Sequence, residues 1–191
     1  LNTAGTGSPR ADLACVGRAE ILLFEIKSEK DVLKRLAKQW EAFSACSHQT
    51  YLVLDKKFFT ISNHTNRVRP FIVEPEEFKS LKGYGTNKNL WYYPEPKKTD
   101  FSLDHTWKIV PRGSKQDSFP TPELRAVLQL LWREELLEVC RDTALPYQSK
   151  DNMMKLVERM ILGLTGRQII TQTCRMLRKR PFAVADQAII D

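Results

Sequence analysis

Two short segments, a helix-periodic stretch and a buried run follow one another in the first third of this chain, and few folds accommodate that order. Asp12 to Val16 reads as a short strand, and Ile21 to Lys27 is an apolar run of high β propensity. Gly17-Arg18-Ala19-Glu20 between them has hairpin length and opens on a glycine. Leu33, Leu36, Trp40 and Phe43 then recur at helical spacing, which predicts a helix over 28–45 with Ser28 or Asp31 as N-cap. Thr50 to Leu54 is a short continuous apolar run, the pattern of a strand buried on both faces. A hairpin, a crossover helix and a buried strand imply an α/β unit in which the last strand has a parallel neighbour.

Pairing Val16 with Ile21 sets a register in which Ala14 faces Leu23 and Asp12 faces Glu25. Alternation then places Asp12, Glu25 and Lys27 on one face and turns Leu22, Phe24 and Ile26 toward a core. Directly opposed like charges weaken a sheet, so two facing carboxylates call for a cation between them. Mg²⁺ or Mn²⁺ suits such a pair, since hard divalent ions take one or two carboxylates plus water and phosphate. A lysine beside the ion can orient water or stabilise developing negative charge. The alternative is a surface hairpin carrying a scattered salt bridge. Glu-x-Lys alone is uninformative, because Glu77-Phe78-Lys79 and Glu95-Pro96-Lys97 repeat it and Asp55-Lys56-Lys57 matches a looser form. Only Glu25 ends an apolar strand with an acidic partner in register. On the helix that follows, Gln39 lies at the edge of the apolar stripe with Arg35 one turn before it, whereas Lys30, Lys34 and Lys38 are expected to face away.

Asp12, Glu25-Ile26-Lys27 and Gln39 together resemble the core of the PD-(D/E)XK nuclease superfamily, the restriction-endonuclease-like fold. The fuller run Arg10-Ala11-Asp12-Leu13, Phe24 to Ser28, Asp31, Leu33, Arg35-Leu36 and Gln39 is similar to a group of small bacterial members. The resemblance covers residues 10–55. It implies Asp12, Glu25 and the Ile26 carbonyl as metal ligands, Lys27 as the catalytic lysine and Gln39 as an accessory polar residue. It further implies Mg²⁺ or Mn²⁺ as cofactor and DNA, or else RNA, as partner. Such folds usually open with a helix bearing another acid. Here only loop composition precedes Arg10, so either that helix is missing from the fragment or the protein does without it.

A formal charge of +7, from 30 Lys+Arg against 23 Asp+Glu, agrees with a polyanionic partner without requiring one. Cys15, Cys46, Cys140 and Cys174 show no Cys-x-x-Cys spacing, so neither a zinc site nor a disulfide framework is expected. Cys15 and Cys46 read as reduced core residues. His48, His64 and His105 stand far apart and suggest no ligand cluster. No apolar stretch reaches membrane-spanning length, and the expected compartment is the cytoplasm.

Further along, 58–61 and 71–73 read as strands extending the sheet around a turn at 63–66. Residues 81–120, rich in Gly, Pro and polar residues, read as a linker, with Leu90-Trp91-Tyr92-Tyr93 as an aromatic plug and a short strand near Trp107 to Val110. From 121 the pattern is helical, with Thr121 as N-cap, Pro122 at the first position and apolar residues from Leu124 to Val139. A restart is expected at Ser149, and a last helix at 166–180 should turn Ile169, Ile170, Thr173, Met176 and Leu177 inward. The run from Glu135 to Met160 resembles a SAP-like DNA-binding module; a helical hairpin packed on the first domain is the other reading. Arg10, Arg35, Lys150, Arg178, Lys179 and Arg180 are the candidate nucleic-acid contacts. The expected architecture is α/β: a restriction-endonuclease-like domain at 1–80, a linker at 81–120 and a helical region at 121–191. The expected activity is metal-dependent phosphodiester hydrolysis, with a catalytically silent binding or adaptor protein as the alternative. Cutting both strands of a duplex would need two sites, which makes a homodimer a candidate assembly.

Overall fold

The computed structural model describes residues 9–58, 60–62, 71–73, 78, 81, 90–93, 108–109 and 121–181. The predicted turn at 63–66, the Glu95-Pro96-Lys97 repeat, His64, His105 and most of the 81–120 segment lie outside these residues. β1 (Leu13–Val16) and β2 (Ile21–Lys27) are antiparallel with Val16 opposite Ile21 and Ala14 opposite Leu23, the register that pairing across the four-residue loop predicts. The Gly17 N–H closes the turn on the Glu20 carbonyl at 2.8 Å. Asp12 stands one residue before β1, and its N–H still donates to the Phe24 carbonyl at 3.2 Å. Helix α1 (Leu36–Cys46) crosses over to β3 (Gln49–Asp55), which is parallel to β2. The mixed α/β expectation therefore holds.

Which face of the sheet is covered differs from the expectation. Ile21, Leu23, Glu25 and Lys27 are the buried residues of one β2 face, and Thr50, Leu52 and Leu54 continue that face on β3. Leu36, Trp40 and Phe43 of α1 are buried with them, so the helix lies on the face that bears the charged pair. Leu22, Phe24 and Ile26 point the other way: Ile26 is exposed, and Phe24 stacks on Tyr51 with centroids 4.7 Å apart. Alternation separates two faces but does not say which one a helix will cover. On β3, Gln49, Tyr51 and Val53 of that outer face are half-buried, and Asp55 at its end is buried. Cys15, on the outer face of β1, is exposed rather than in the core, whereas Cys46 is buried.

The helix also starts later than its apolar spacing predicts. The Asp31 carboxylate accepts from the Ser28 N–H at 2.8 Å and from the Ser28 hydroxyl at 2.6 Å, closing a turn. Lys57, in a short 3₁₀ turn after β3, donates to the Glu29 and Asp31 carbonyls. Those carbonyls are thereby engaged outside a helical ladder, and α1 begins only after Arg35, without a side-chain cap.

Four more strands follow. β4 (Thr60–Ser62) and β5 (Phe71–Val73) pair only with each other, so they do not extend the main sheet. β6 (Leu90–Tyr93) is parallel to β3, and β7 (Lys108–Ile109) is antiparallel to β6, giving the order β1-β2-β3-β6-β7. The aromatic segment expected as a plug in a linker is thus a sheet strand. Its β-branched-free but aromatic composition suits a strand as well as a plug.

The C-terminal part comprises α2 (Leu124–Leu128), α3 (Arg133–Asp142), α4 (Met153–Gly163) and α5 (Gly166–Lys179). The long helix expected from Leu124 to Val139 is two helices, interrupted at 129–132. Glu123 rather than Thr121 precedes α2, and α4 is capped by Asn152, which accepts from the Lys155 N–H at 3.0 Å, rather than started at Ser149. α5 matches its expectation, with Thr165 and Gln168 forming a capping box and Ile169, Thr173, Met176 and Leu177 buried. These helices share one core with the sheet: Val127, Leu131, Leu136, Leu156 and Met160 cluster with Ile21, Leu23 and Phe43. The Glu123 N–H donates to the Ala45 carbonyl at the end of α1. The helical region is therefore packed onto the first unit.

α3 ends in a Schellman motif: the Leu145 N–H reaches the Cys140 carbonyl at 2.9 Å and the Ala144 N–H reaches that of Arg141 at 3.2 Å. Ala144 sits at φ 53°, where a Cβ is strained and glycine is not. Ala144→Gly is expected to raise stability by up to about 1 kcal/mol, the left-handed cost of the Cβ less the extra chain entropy of glycine, read as an upward shift of the urea midpoint. A lowered midpoint would count against strain at this position.

Candidate active site

Three elements bring the predicted polar residues into one cleft. β2 ends at Lys27, the turn at 28–31 follows it, and α1 lies across the sheet face on which Glu25 and Lys27 emerge. The cleft has a volume of about 620 Å³ and is lined by Asp12, Glu25, Lys27 and Gln39, with Arg10, Arg35 and Lys38 among the other residues. Asp12, Glu25 and Lys27 thus share one opening, as the hairpin register requires.

Glu25 and Lys27 are buried, at 2% and 6% exposure, and the lysine ammonium pairs with Glu25 Oε1. Lys27 Nζ also donates to Gln39 Oε1 at 3.1 Å, and Gln39 Nε2 donates to the same Glu25 oxygen. The three side chains form a closed triangle. Gln39 reaches it because it lies one turn into α1, on the flank beside Trp40. Asp12 Oδ2 accepts from the Ile26 N–H at 2.8 Å, which ties the residue before β1 to the middle of the site.

Glu25 Oε2 is buried with no hydrogen-bond partner. A buried carboxylate oxygen without a donor is costly, and a cation is the ligand that would relieve it. Among the described residues no group of three or more acidic, histidine or cysteine side chains is placed to hold a metal. Two carboxylates remain, Asp12 and Glu25, which is the ligand number that Mg²⁺ commonly takes from protein when water and phosphate complete its shell. The donor set therefore fits a hard divalent ion.

Burial pushes the Glu25 carboxyl above its ordinary value of 4.5; Lys27 and Gln39 pull it down, and the neighbouring Asp12 charge adds to the rise. A carboxyl that holds its proton more tightly when folded favours the fold at low pH, and that contribution is lost as pH rises through the raised value. A divalent ion prefers the ionised form and reverses this penalty. The rise in melting temperature produced by Mn²⁺ is accordingly expected to be small at about pH 5 and larger at about pH 7.5. Equal shifts at the two pH values in calorimetry would remove Glu25 from the ligand set.

Of the candidate nucleic-acid contacts, only Arg10 and Arg35 line the cleft. Lys38, expected to face away, lines it too, beside Gln39 on α1. Lys150 and Arg178 are exposed on the helical region, away from the cleft lining. Lys179 and Arg180 are engaged within the fold. Three acids of α3 meet three cations at the end of α5: Asp142 with Arg175, Glu138 with Lys179, and Glu135 with Arg180. The Arg180 side chain is 6% exposed and stacks over Trp132 at 4.1 Å, so it is a structural cation and not a free phosphate contact. In the segment read as SAP-like, α3 and α4 do form a helical hairpin, and the loop joining them is held by Arg133 on the Asp151 carbonyl and Arg159 on the Asp151 carboxylate.

His48 is not a ligand either: its Nδ1 accepts from the Ile21 N–H at 3.1 Å, while its own N–H donates to the Ile21 carbonyl. Asp55-Lys56-Lys57, the looser match to Glu-x-Lys, is structural as well. Asp55 Oδ1 accepts from the Lys57 N–H at 2.8 Å, and the Lys57 ammonium braces the 28–31 turn.

Residues 4–72 are similar to the family described as bacteriophage P4 protein cII. The matched span includes Asp12, Glu25, Lys27 and Gln39 and ends within β5. No curated protein and no solved structure matches the chain. Among the described residues no helix is long and apolar enough to cross a membrane.

Proposed function

We propose that this chain is a metal-dependent nuclease of the restriction-endonuclease-like type, hydrolysing phosphodiester bonds, with DNA as the first substrate to test. One observation carries the reading. Glu25, Lys27 and Gln39 are bonded to one another in the same cleft as Asp12, and Glu25 keeps one buried oxygen without a donor.

Asp12 and Glu25 are the residues that would hold Mg²⁺ or Mn²⁺, which when bound polarises the phosphoryl oxygens and makes water more acidic. Lys27 supplies a fixed positive charge beside the carboxylates, suited to orient water or stabilise the charge that builds on phosphorus-bound oxygen. Gln39 holds the Lys27 ammonium and the Glu25 carboxylate in register, so it is a positioning residue. Arg10 and Arg35 place cations on the cleft lining where a phosphate backbone would enter. Such a substrate assigns the protein to the cytoplasm, and cutting both strands of a duplex would call on two copies.

A second reading, a binding or adaptor protein that keeps the fold without turnover, draws on the small acidic set: two carboxylates and no third ligand among the described residues. Asp12→Ala separates the two. Loss of Mn²⁺-dependent cleavage with DNA binding retained supports the nuclease. Absence of cleavage by the unaltered chain with Mg²⁺ or Mn²⁺, on single-stranded and duplex DNA and RNA, supports the binder.

A further inference from the structure

Two sets of cations among the described residues differ in their partners. Along α3 and α5, Arg175, Lys179 and Arg180 are neutralised by Asp142, Glu138 and Glu135. Around the cleft, Arg10, Arg35 and Lys38 are exposed and form no ion pair among the described residues. Arg35 immediately precedes α1 and Lys38 lies three residues on, so both project from the same end of that helix. Arg10 approaches from the segment leading into β1. These three surround the carboxylates Asp12 and Glu25, whose own charge is offset by the buried Lys27.

We infer that Lys38 is a further substrate-binding residue and that, with Arg10 and Arg35, it forms a path for about three phosphates confined to the cleft. The inference rests on the nucleic-acid reading of the cleft and extends it to the size of the footprint. Each cation that neutralises a phosphate releases condensed counterions. The logarithm of affinity then falls with the logarithm of salt with a slope of about −0.9 per phosphate on a duplex and about −0.7 on a single strand. Three phosphates give slopes of about −2.7 and −2.1, so a tenfold rise in salt weakens binding by about 500-fold or about 100-fold. A footprint that ran on over the helical region would have a steeper slope.

The test is a salt titration of binding to an oligonucleotide, single-stranded and then duplex, with EDTA present so that no cleavage occurs. Arg10→Gln, Arg35→Gln and Lys38→Gln are each expected to flatten the slope by about 0.7–0.9. Lys150→Gln and Arg178→Gln, exposed cations away from the cleft, are expected to leave it unchanged. All five side chains are at the surface, and an unaltered melting temperature checks that each variant is folded. A wild-type slope steeper than about −5, a flatter slope in Lys150→Gln or Arg178→Gln, no effect of Lys38→Gln, or no binding at all would each overturn the inference. Its fate is separable from that of the nuclease reading. Salt-dependent binding through these three cations without cleavage in Mn²⁺ defeats only the latter, and cleavage unaffected by them defeats only the former.

Discussion

Glu135→Ala is expected to lower the stability of the fold by about 3 kcal/mol, because it strands a buried cation. Glu135 Oε1 accepts from Arg180 Nε at 2.9 Å, and Oε2 accepts from the other arm of the same guanidinium, a bidentate pair. The same Oε2 accepts from the Trp132 N–H at 2.7 Å, which satisfies a backbone donor at the start of α3. Arg180 also donates to the Leu130 carbonyl at 3.1 Å. One carboxylate thus joins the break between α2 and α3 to the end of α5. In a chain of this size the loss corresponds to a fall in melting temperature of about 6–12 °C. Glu138→Ala is the control, since Glu138 and Lys179 are 37% and 56% exposed and an exposed pair contributes under about 1 kcal/mol. Urea unfolding of the two variants distinguishes them. Equal, small losses would mean that the Arg180 pair is as well solvated as its neighbour.

That pair also marks where the sequence stops being readable. The basic end of α5 reads as a free cluster because its partners lie some forty residues earlier, on a helix whose start carries no Ser, Thr, Asn or Asp to announce it. Trp132 takes the N-cap position of α3, and the capping carboxylate is Glu135. By contrast, the hairpin was legible because a four-residue loop joins two strand-like segments and sets Val16 opposite Ile21. The same register predicts the convergence of Asp12, Glu25 and Lys27, and the family resemblance marks Gln39 as their accessory polar residue. Lys38 was not legible. Apolar spacing marks it only as off the buried stripe, and the turn that brings Ser28 and Asp31 to the same cleft is built by contacts that spacing does not report. Nor does alternation reveal which sheet face a helix will cover: of Leu22, Phe24 and Ile26, expected in a core, Phe24 is buried, Leu22 is half-buried and Ile26 is exposed, because α1 lies on the other face. β6 looks like loop because the glycines and prolines around it outweigh four residues of strand composition.

Given the proposed reaction, Lys27→Met is expected to reduce the rate of Mn²⁺-dependent phosphodiester cleavage by about 10²–10³-fold. The Lys27 side chain is 6% exposed and its ammonium is held by both Glu25 and Gln39, so its charge is already oriented before substrate arrives. A preorganised charge of this kind acts where negative charge develops, and water does not replace it in a buried position. Methionine keeps the unbranched stem and removes the charge, which limits the repacking cost. Gln39→Leu leaves Lys27 and Glu25 paired and removes only their brace; its expected loss is about tenfold. If the two residues act as a unit, the double variant loses little more than Lys27→Met alone. Metal binding gives the second readout. Removing the lysine leaves Asp12 and Glu25 in place, so Mn²⁺ should still bind in calorimetry while turnover falls. A Lys27→Met protein that cleaves at the wild-type rate would reduce this lysine to a structural counterion of Glu25, and the triangle on β2 and α1 to a buried polar brace within a binding protein.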